Sequence, residues 1–170
     1  MGATTFSTFA LGKNAREAFR QAQEHARYEY GHGGYTGTIA EKPGFVLFEI
    51  PKGTRCSATR FLDLVAQADE YIDGEYGYQQ RDLDNARNAT EKRKIQAQIN
   101  KDKRRREAWW RKLNPDLAAA VRNAARVYSD KWENCVAVRA GGSEAVRIKN
   151  QLGRKGTRDR VYFFGGWASC

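Results

Sequence analysis

The chain has 170 residues, enough for one domain with a sizeable core and an appended arm. Its 41% hydrophobic and 12% aromatic content excludes a disordered chain, and no apolar run approaches the roughly 20 residues of a membrane helix. Thirty Lys and Arg against twenty Asp and Glu leave a net +10, which favours anionic partners through long-range steering. In chain order, TTFSTFAL (4–11) is rich in Thr and Phe and weakly alternating, which predicts a strand. Asn14 with Glu17 three residues on is a capping-box pattern. Ala15, Ala18, Phe19, Ala22, Ala26 and Tyr30 then recur at helical spacing, up to a stop at Gly31. FVLFEI (45–50) predicts a second strand, closed by Pro51 and Gly53.

Ser57 or Thr59 caps a second helix with Phe61, Leu62, Val65, Ala68 and Ile72 on one face, and DGEYGYQQ (73–80) breaks it. From Gln79 to Lys112 there is no proline or glycine and few large apolar residues, which predicts a polar helical arm outside the core. Asn114, Pro115 and Asp116 are the cap, first residue and first-turn acid of a new helix, with Leu117, Val121, Ala124, Ala125, Tyr128 and Trp132 as its buried face. CVAVRA (135–140) predicts a strand. SEAVRIKNQL (143–152) reads as a short helix with a strand as the alternative, and RVYFFGGWAS (160–169) as the last strand. Gly165 and Gly166 inside it indicate a bulge or a close backbone approach. The order predicts an α+β domain, a small sheet packed with helices, whose parts at 1–78 and 114–170 flank a charged helical arm at 79–113.

Chemistry concentrates first in YGHGGYTGTIAEK (30–42). Glycines bring backbone amides close to a ligand, so Gly33, Gly34, Thr36, Thr38 and Lys42 are candidate phosphate-binding residues, with Tyr35 as a stacking face. His32 and Glu41 are the candidate catalytic pair if the loop belongs to an enzyme acting on a nucleotide. The loop matches neither a Walker A nor a dinucleotide fingerprint. The same glycines also suit a tight connection in which TGTIAEK forms a short strand.

The second concentration is KDKRRREAWWRK (101–112), where Lys101, Lys103, Arg104, Arg105, Arg106, Arg111 and Lys112 surround Trp109 and Trp110, and Lys92, Arg93 and Lys94 extend the positive stretch upstream. Cations contact phosphates and indoles stack on bases, so these residues, Trp109 included, are candidate nucleic-acid contacts. A merely solvated helix face, with one tryptophan docking the arm, is the competing reading. Third, Phe163, Phe164 and Trp167 finish the core, and Trp167 and Ser169 would line the loop's pocket if the last strand lies beside it.

Three widely spaced cysteines and two histidines form no zinc pattern, so neither a metal nor a cofactor is expected. Reduced thiols and the lack of a basic, apolar leader in MGATTFSTF agree with a cytoplasmic setting. GHGGYTGTIAEK together with the closing FFGGWAS resembles a group of small bacteriophage-encoded proteins. Those carry a G-Y-T-G-T-I-A-E-K segment and end on an F-F-G-W-A-S-like strand. The resemblance covers these two segments and hardly the arm, and the second glycine of FFGGWAS departs from the shorter form. It implies the cytoplasm of an infected bacterium and no particular reaction. The leading expectation is an accessory protein that binds nucleic acid, or a host machine that handles it, through the arm and the loop. The alternatives are a nucleotide-binding or nucleotide-modifying enzyme with its site at 32–42, and an inhibitor that docks on an acidic host protein. Oligomeric state is not encoded in any motif.

Overall fold

The computed structural model describes residues 2–31, 34–70 and 76–169. Four strands form one mixed sheet: β1 (Ala3–Gly12), β2 (Phe45–Phe48), β3 (Cys135–Arg139) and β4 (Arg160–Ser169), in the order β1-β4-β3-β2. β4 runs antiparallel to both β1 and β3, whereas β2 and β3 are parallel. A parallel pair needs a long crossover, and here the crossover carries most of the helices. Among the described residues the α-helices are α1 (Ala15–Tyr30), α2 (Ala58–Asp69), α3 (Tyr76–Asn85), α4 (Ala89–Arg111), α5 (Pro115–Tyr128) and α6 (Gly142–Gln151). The fold is α+β, as the order of elements predicts.

The period-2 alternation of the central strands divides the core into two layers. Cys135, Ala137, Tyr162 and Phe164 face α1, whose Ala15, Ala18, Phe19, Ala22 and Ala26 are the residues expected at helical spacing. Val136, Val138, Val161 and Phe163 face the other way, against α2, α5 and α6. Each buried valine or phenylalanine among them contributes roughly 1.5–3 kcal/mol, and each alanine methyl less. The larger cluster on the second face is what anchors the crossover.

Local signals account for most boundaries. The Asn14 side chain accepts from Glu17 N and opens α1, and Gly31 ends it at φ 88°. Of the two candidate caps for α2, Ser57 is the one used, its hydroxyl accepting from Arg60 N. Asn114 accepts from the amides of Asp116 and Leu117 ahead of Pro115. Segment 143–152 is helical in the main, as α6.

Other expectations give way. The arm is two helices, not one, because Asn88 and Glu91 form a second capping box, with Glu91 Oε2 accepting from Arg87 N and Asn88 Oδ1 from Glu91 N. α3 begins at Tyr76, inside the stretch read as a break, while Ile72 and the start of that stretch lie outside the described residues. α5 stops at Tyr128, so Trp132 falls beyond it and is 60% exposed rather than part of the buried face. Gly165 and Gly166 pair in unbroken register with Ser7 and Phe6, so there is no bulge. Their role is close approach: a Cβ on Gly165 would stand 3.3 Å from the Tyr128 ring, and one on Gly166 3.4 Å from Cys135 Cβ. Gly12, which no sequence pattern marks, is tighter still, because a Cβ there would lie 2.6 Å from the Ala18 backbone nitrogen.

Candidate functional site

The glycine-rich connection leaves α1 at Gly31 and reaches β2 through a single 3-10 turn, Ile39–Glu41, instead of a short strand. Thr38 caps that turn, accepting from Ala40 N at 3.3 Å. His32 and Gly33 lie outside the described residues. Gly34 and Tyr35 are exposed, and Tyr35 adopts φ 69°, which a bulky residue rarely does.

The remaining polar groups of the loop bind one another and the end of β4. Glu41 Oε1 accepts from the Thr36 hydroxyl and from Gly37 N, both at 2.9 Å. Glu41 Oε2 accepts from the Ser169 hydroxyl at 2.6 Å, and Gly37 N also donates to the Ser169 carbonyl at 2.8 Å. Thr36 and Thr38 share a further hydroxyl bond of 2.8 Å. The expected adjacency of loop and terminal strand is therefore present at Ser169. Trp167 points elsewhere, donating to Asp69 Oδ2 on α2 at 2.6 Å. Burial raises the Glu41 pKa, but the bonds from Ser169, Thr36 and Gly37 outweigh it and hold the carboxyl below its ordinary value. A carboxylate so bonded is a latch between loop and strand. With its proton held off and both oxygens accepting, it is poorly disposed to act as a general acid.

Lys42 departs furthest from its expected role. Its side chain is only 2% exposed, and its ammonium donates to the Asp130 carbonyl at 2.6 Å, while Gln23 holds its own carbonyl at 2.8 Å. Burial lowers its pKa, and the nearby Cys135, Asp130, Glu41 and Glu133 counter that pull in part. The cation ties the loop to the α5–β3 connection and does not face an incoming phosphate. Lys42→Ala should cost about 3–4 kcal/mol through the lost packing and the stranded carbonyl. Lys42→Met, which keeps the volume, should cost about half as much. Urea unfolding of the two variants checks this, and equal losses would show that the side chain's volume is irrelevant.

The arm is built differently. α4 carries nine Lys and Arg against three Asp and Glu, so six of the chain's ten excess positive charges sit on one helix. Its inner side holds Ile99 and Arg106, both buried, with Ile95 and Asp102 half-buried. At the base, Trp109 donates to Gln67 of α2 at 3.2 Å, and Trp110 lies beneath the Arg122 guanidinium of α5 at 4.5 Å. The rings of Trp109 and Trp110 meet edge-on at 4.6 Å. Of the expected nucleic-acid contacts, Arg106 and Trp109 thus turn inward, for the reason that a helix rotates about 100° per residue. Lys101, Lys103, Arg104, Arg105 and Arg111 are exposed.

The same rotation sorts the exposed cations. Lys94, Lys101, Arg105 and Lys112, spaced by seven, four and seven residues, form one lengthwise row. Arg93, Arg104 and Arg111 form a second row about 90° round the helix. Between the rows stand only Ala97, Ala108 and Thr90, all exposed. No acidic residue falls within this sector, which spans roughly 120° and about 28 Å of helix. Glu107 lies just outside it and pairs with Arg111 at 3.6 Å. The run at 101–112 and its upstream extension at Lys92, Arg93 and Lys94 carry the charge in the sequence, and helical phase sorts which of these cations share a face.

A cleft at the base of the arm is lined by Trp110, Arg111, Leu113, Pro115 and Arg122, and another beside β1 by Phe9, His25, Leu152, Arg154 and Asp159. Neither is lined by a residue of the loop. Among the described residues no group of three His, Cys, Asp or Glu is placed to hold a metal, and no helix is long and apolar enough to cross a membrane. No protein-family model, curated protein or solved structure matches the chain.

Proposed function

We propose that the chain binds nucleic acid through the outer face of α4, as an accessory protein in the phage-infected cell that the sequence resemblance implies. One observation carries the reading: seven exposed cations, with no acid among them, line one sector of a helix whose other side is committed to packing. A face that served solubility alone would have no reason to exclude acids, since interspersed charges of both signs solvate a helix equally well and add intrahelical pairs. Segregation of one sign makes a field that attracts phosphates from a distance.

The test is a salt titration of binding to a labelled oligonucleotide. Each phosphate neutralised releases condensed counterions, so log affinity should fall steeply and linearly with log salt, with a slope of about −4 to −6 for a face of this size. Binding that stays flat between about 50 and 200 mM salt would overturn the proposal. If salt-sensitive capture of a bacterial protein survives nuclease treatment while no oligonucleotide binds, the charged face serves an acidic protein instead.

A further inference from the structure

We infer that the ligand of α4 is double-helical DNA, with the helix lying in the major groove so that its two cation rows reach opposite phosphate rails. The inference rests on the nucleic-acid reading above and narrows it to one form of nucleic acid.

Three observations select the duplex. First, both indoles of the arm are withdrawn from the cationic face: Trp109 is bonded to Gln67 and Trp110 is covered by Arg122. Proteins that grip single strands pair a basic groove with aromatic platforms for the unstacked bases, and no aromatic stands among the residues of this sector. Second, the cations form two straight rows and not a single band. An α-helix with its side chains is about 10–12 Å across and the major groove of B-form DNA is about 12 Å wide. Rows set about 90° apart on such a helix direct their tips to either wall of the groove. Third, the line between the rows carries the small residues Ala97 and Ala108, both exposed. Small side chains there let the helix axis approach the base edges closely enough for both rows to reach phosphate. The major groove of A-form RNA is too deep and narrow to admit the same helix, which makes RNA duplex the weaker ligand.

The roughly 28 Å between Arg93 and Lys112 corresponds to about eight base pairs, so a site of about that length is expected. The line facing the base edges offers alanine and little else, which favours binding with weak sequence preference. Phosphate contacts position a protein, and base contacts specify.

Competition by fluorescence anisotropy tests this with three unlabelled probes of one sequence: a DNA duplex of roughly 20 base pairs, its single strand and the matching RNA duplex. The DNA duplex should compete at least about tenfold more strongly than either other probe. Single strand or RNA competing as well as duplex DNA would overturn the inference while leaving the nucleic-acid reading intact. Failure of all three to bind at low salt would remove that reading itself. The double variant Ala97→Leu, Ala108→Leu keeps the charge and the helix propensity, so its fold should survive. It should lose about tenfold in duplex affinity with the salt slope unchanged, because bulk on the groove-facing line lifts both rows at once. Wild-type duplex affinity in this variant would overturn the groove-seated geometry.

Discussion

Replacing Lys94, Lys101, Arg105 and Lys112 together by Gln should lower affinity for nucleic acid about a thousandfold at physiological salt and reduce the salt slope by about 3.6. The estimate follows from counterion release: each phosphate contact contributes about 0.9 to the slope, and at about 0.15 M salt each is worth close to a factor of five. These four side chains are chosen because helical phase places them in a single row on the exposed side of α4. Gln is nearly as good a helix former as Lys or Arg, so the arm should keep its shape. A charge-matched control makes the result specific. Lys13, Arg16, Lys52 and Lys155 are exposed and lie outside the arm, and replacing those four lowers the net charge by the same amount. If the effect is a property of the face, the control should lose less than about tenfold. Equal losses in the two variants would mean that net charge alone attracts the ligand and that the rows on α4 have no particular role.

Contacts between near neighbours in the chain are legible in the sequence, and contacts between distant segments are not. Strand β4 runs over residues 160–169 as the sequence suggests, because a β-branched and aromatic stretch bounded by charged loop residues has one economical conformation. The caps at Asn14, Ser57 and Asn114 were legible for the same reason, being local contacts between residues three or fewer apart. Asn88 with Glu91 repeats the pattern of Asn14 with Glu17, so the split of the arm is also written locally, although uniform polarity on both sides of it hides the boundary. Arg106 and Trp109 sit in the most basic run of the chain, yet they share the inner phase of Ile95, Ile99 and Leu113, which agrees with the competing reading in which a tryptophan docks the arm. Lys42 was beyond reach of any local argument. What decides its role is a carbonyl 88 residues away, at Asp130, which only the packing of α5 against the sheet brings into range. The loop's threonines and glutamate likewise look like ligand donors until Ser169 arrives from the far end of the chain.

That long-range closure sets the second large effect. Glu41→Ala should destabilise the protein by about 2–3 kcal/mol, since it removes charge-assisted bonds and leaves the Ser169 hydroxyl, which is buried, without its acceptor. Glu41→Gln should lose about half as much, because one amide oxygen can still accept from Gly37 N and Thr36 while the hydroxyl of Ser169 turns to accept. The two variants also separate the pH dependence. The Glu41 carboxyl titrates below its ordinary value of 4.5 in the folded chain. Its contribution is therefore complete above that value and is lost as pH falls through the lower folded value, when the proton bound by the unfolded chain has no counterpart in the folded one. Glu144 behaves with the same sign: burial raises its pKa, but bonds from Thr59 and Ala58 at the start of α2 and the nearby Arg147 outweigh it. Acid should thus weaken the wild type through both carboxylates, and the Gln variant at position 41 isolates one of them. Urea unfolding at about pH 7 and about pH 3.5 should show the gap between wild type and Glu41→Gln narrowing in acid. A gap that stays constant would mean that Glu41 is not held as a carboxylate by its three donors. Nucleic-acid binding by folded Glu41→Ala should match the wild type, because the latch closes the loop onto β4 while the cation rows stand on α4. Loss of binding in that variant, with its helices intact, would bring the loop into the binding surface.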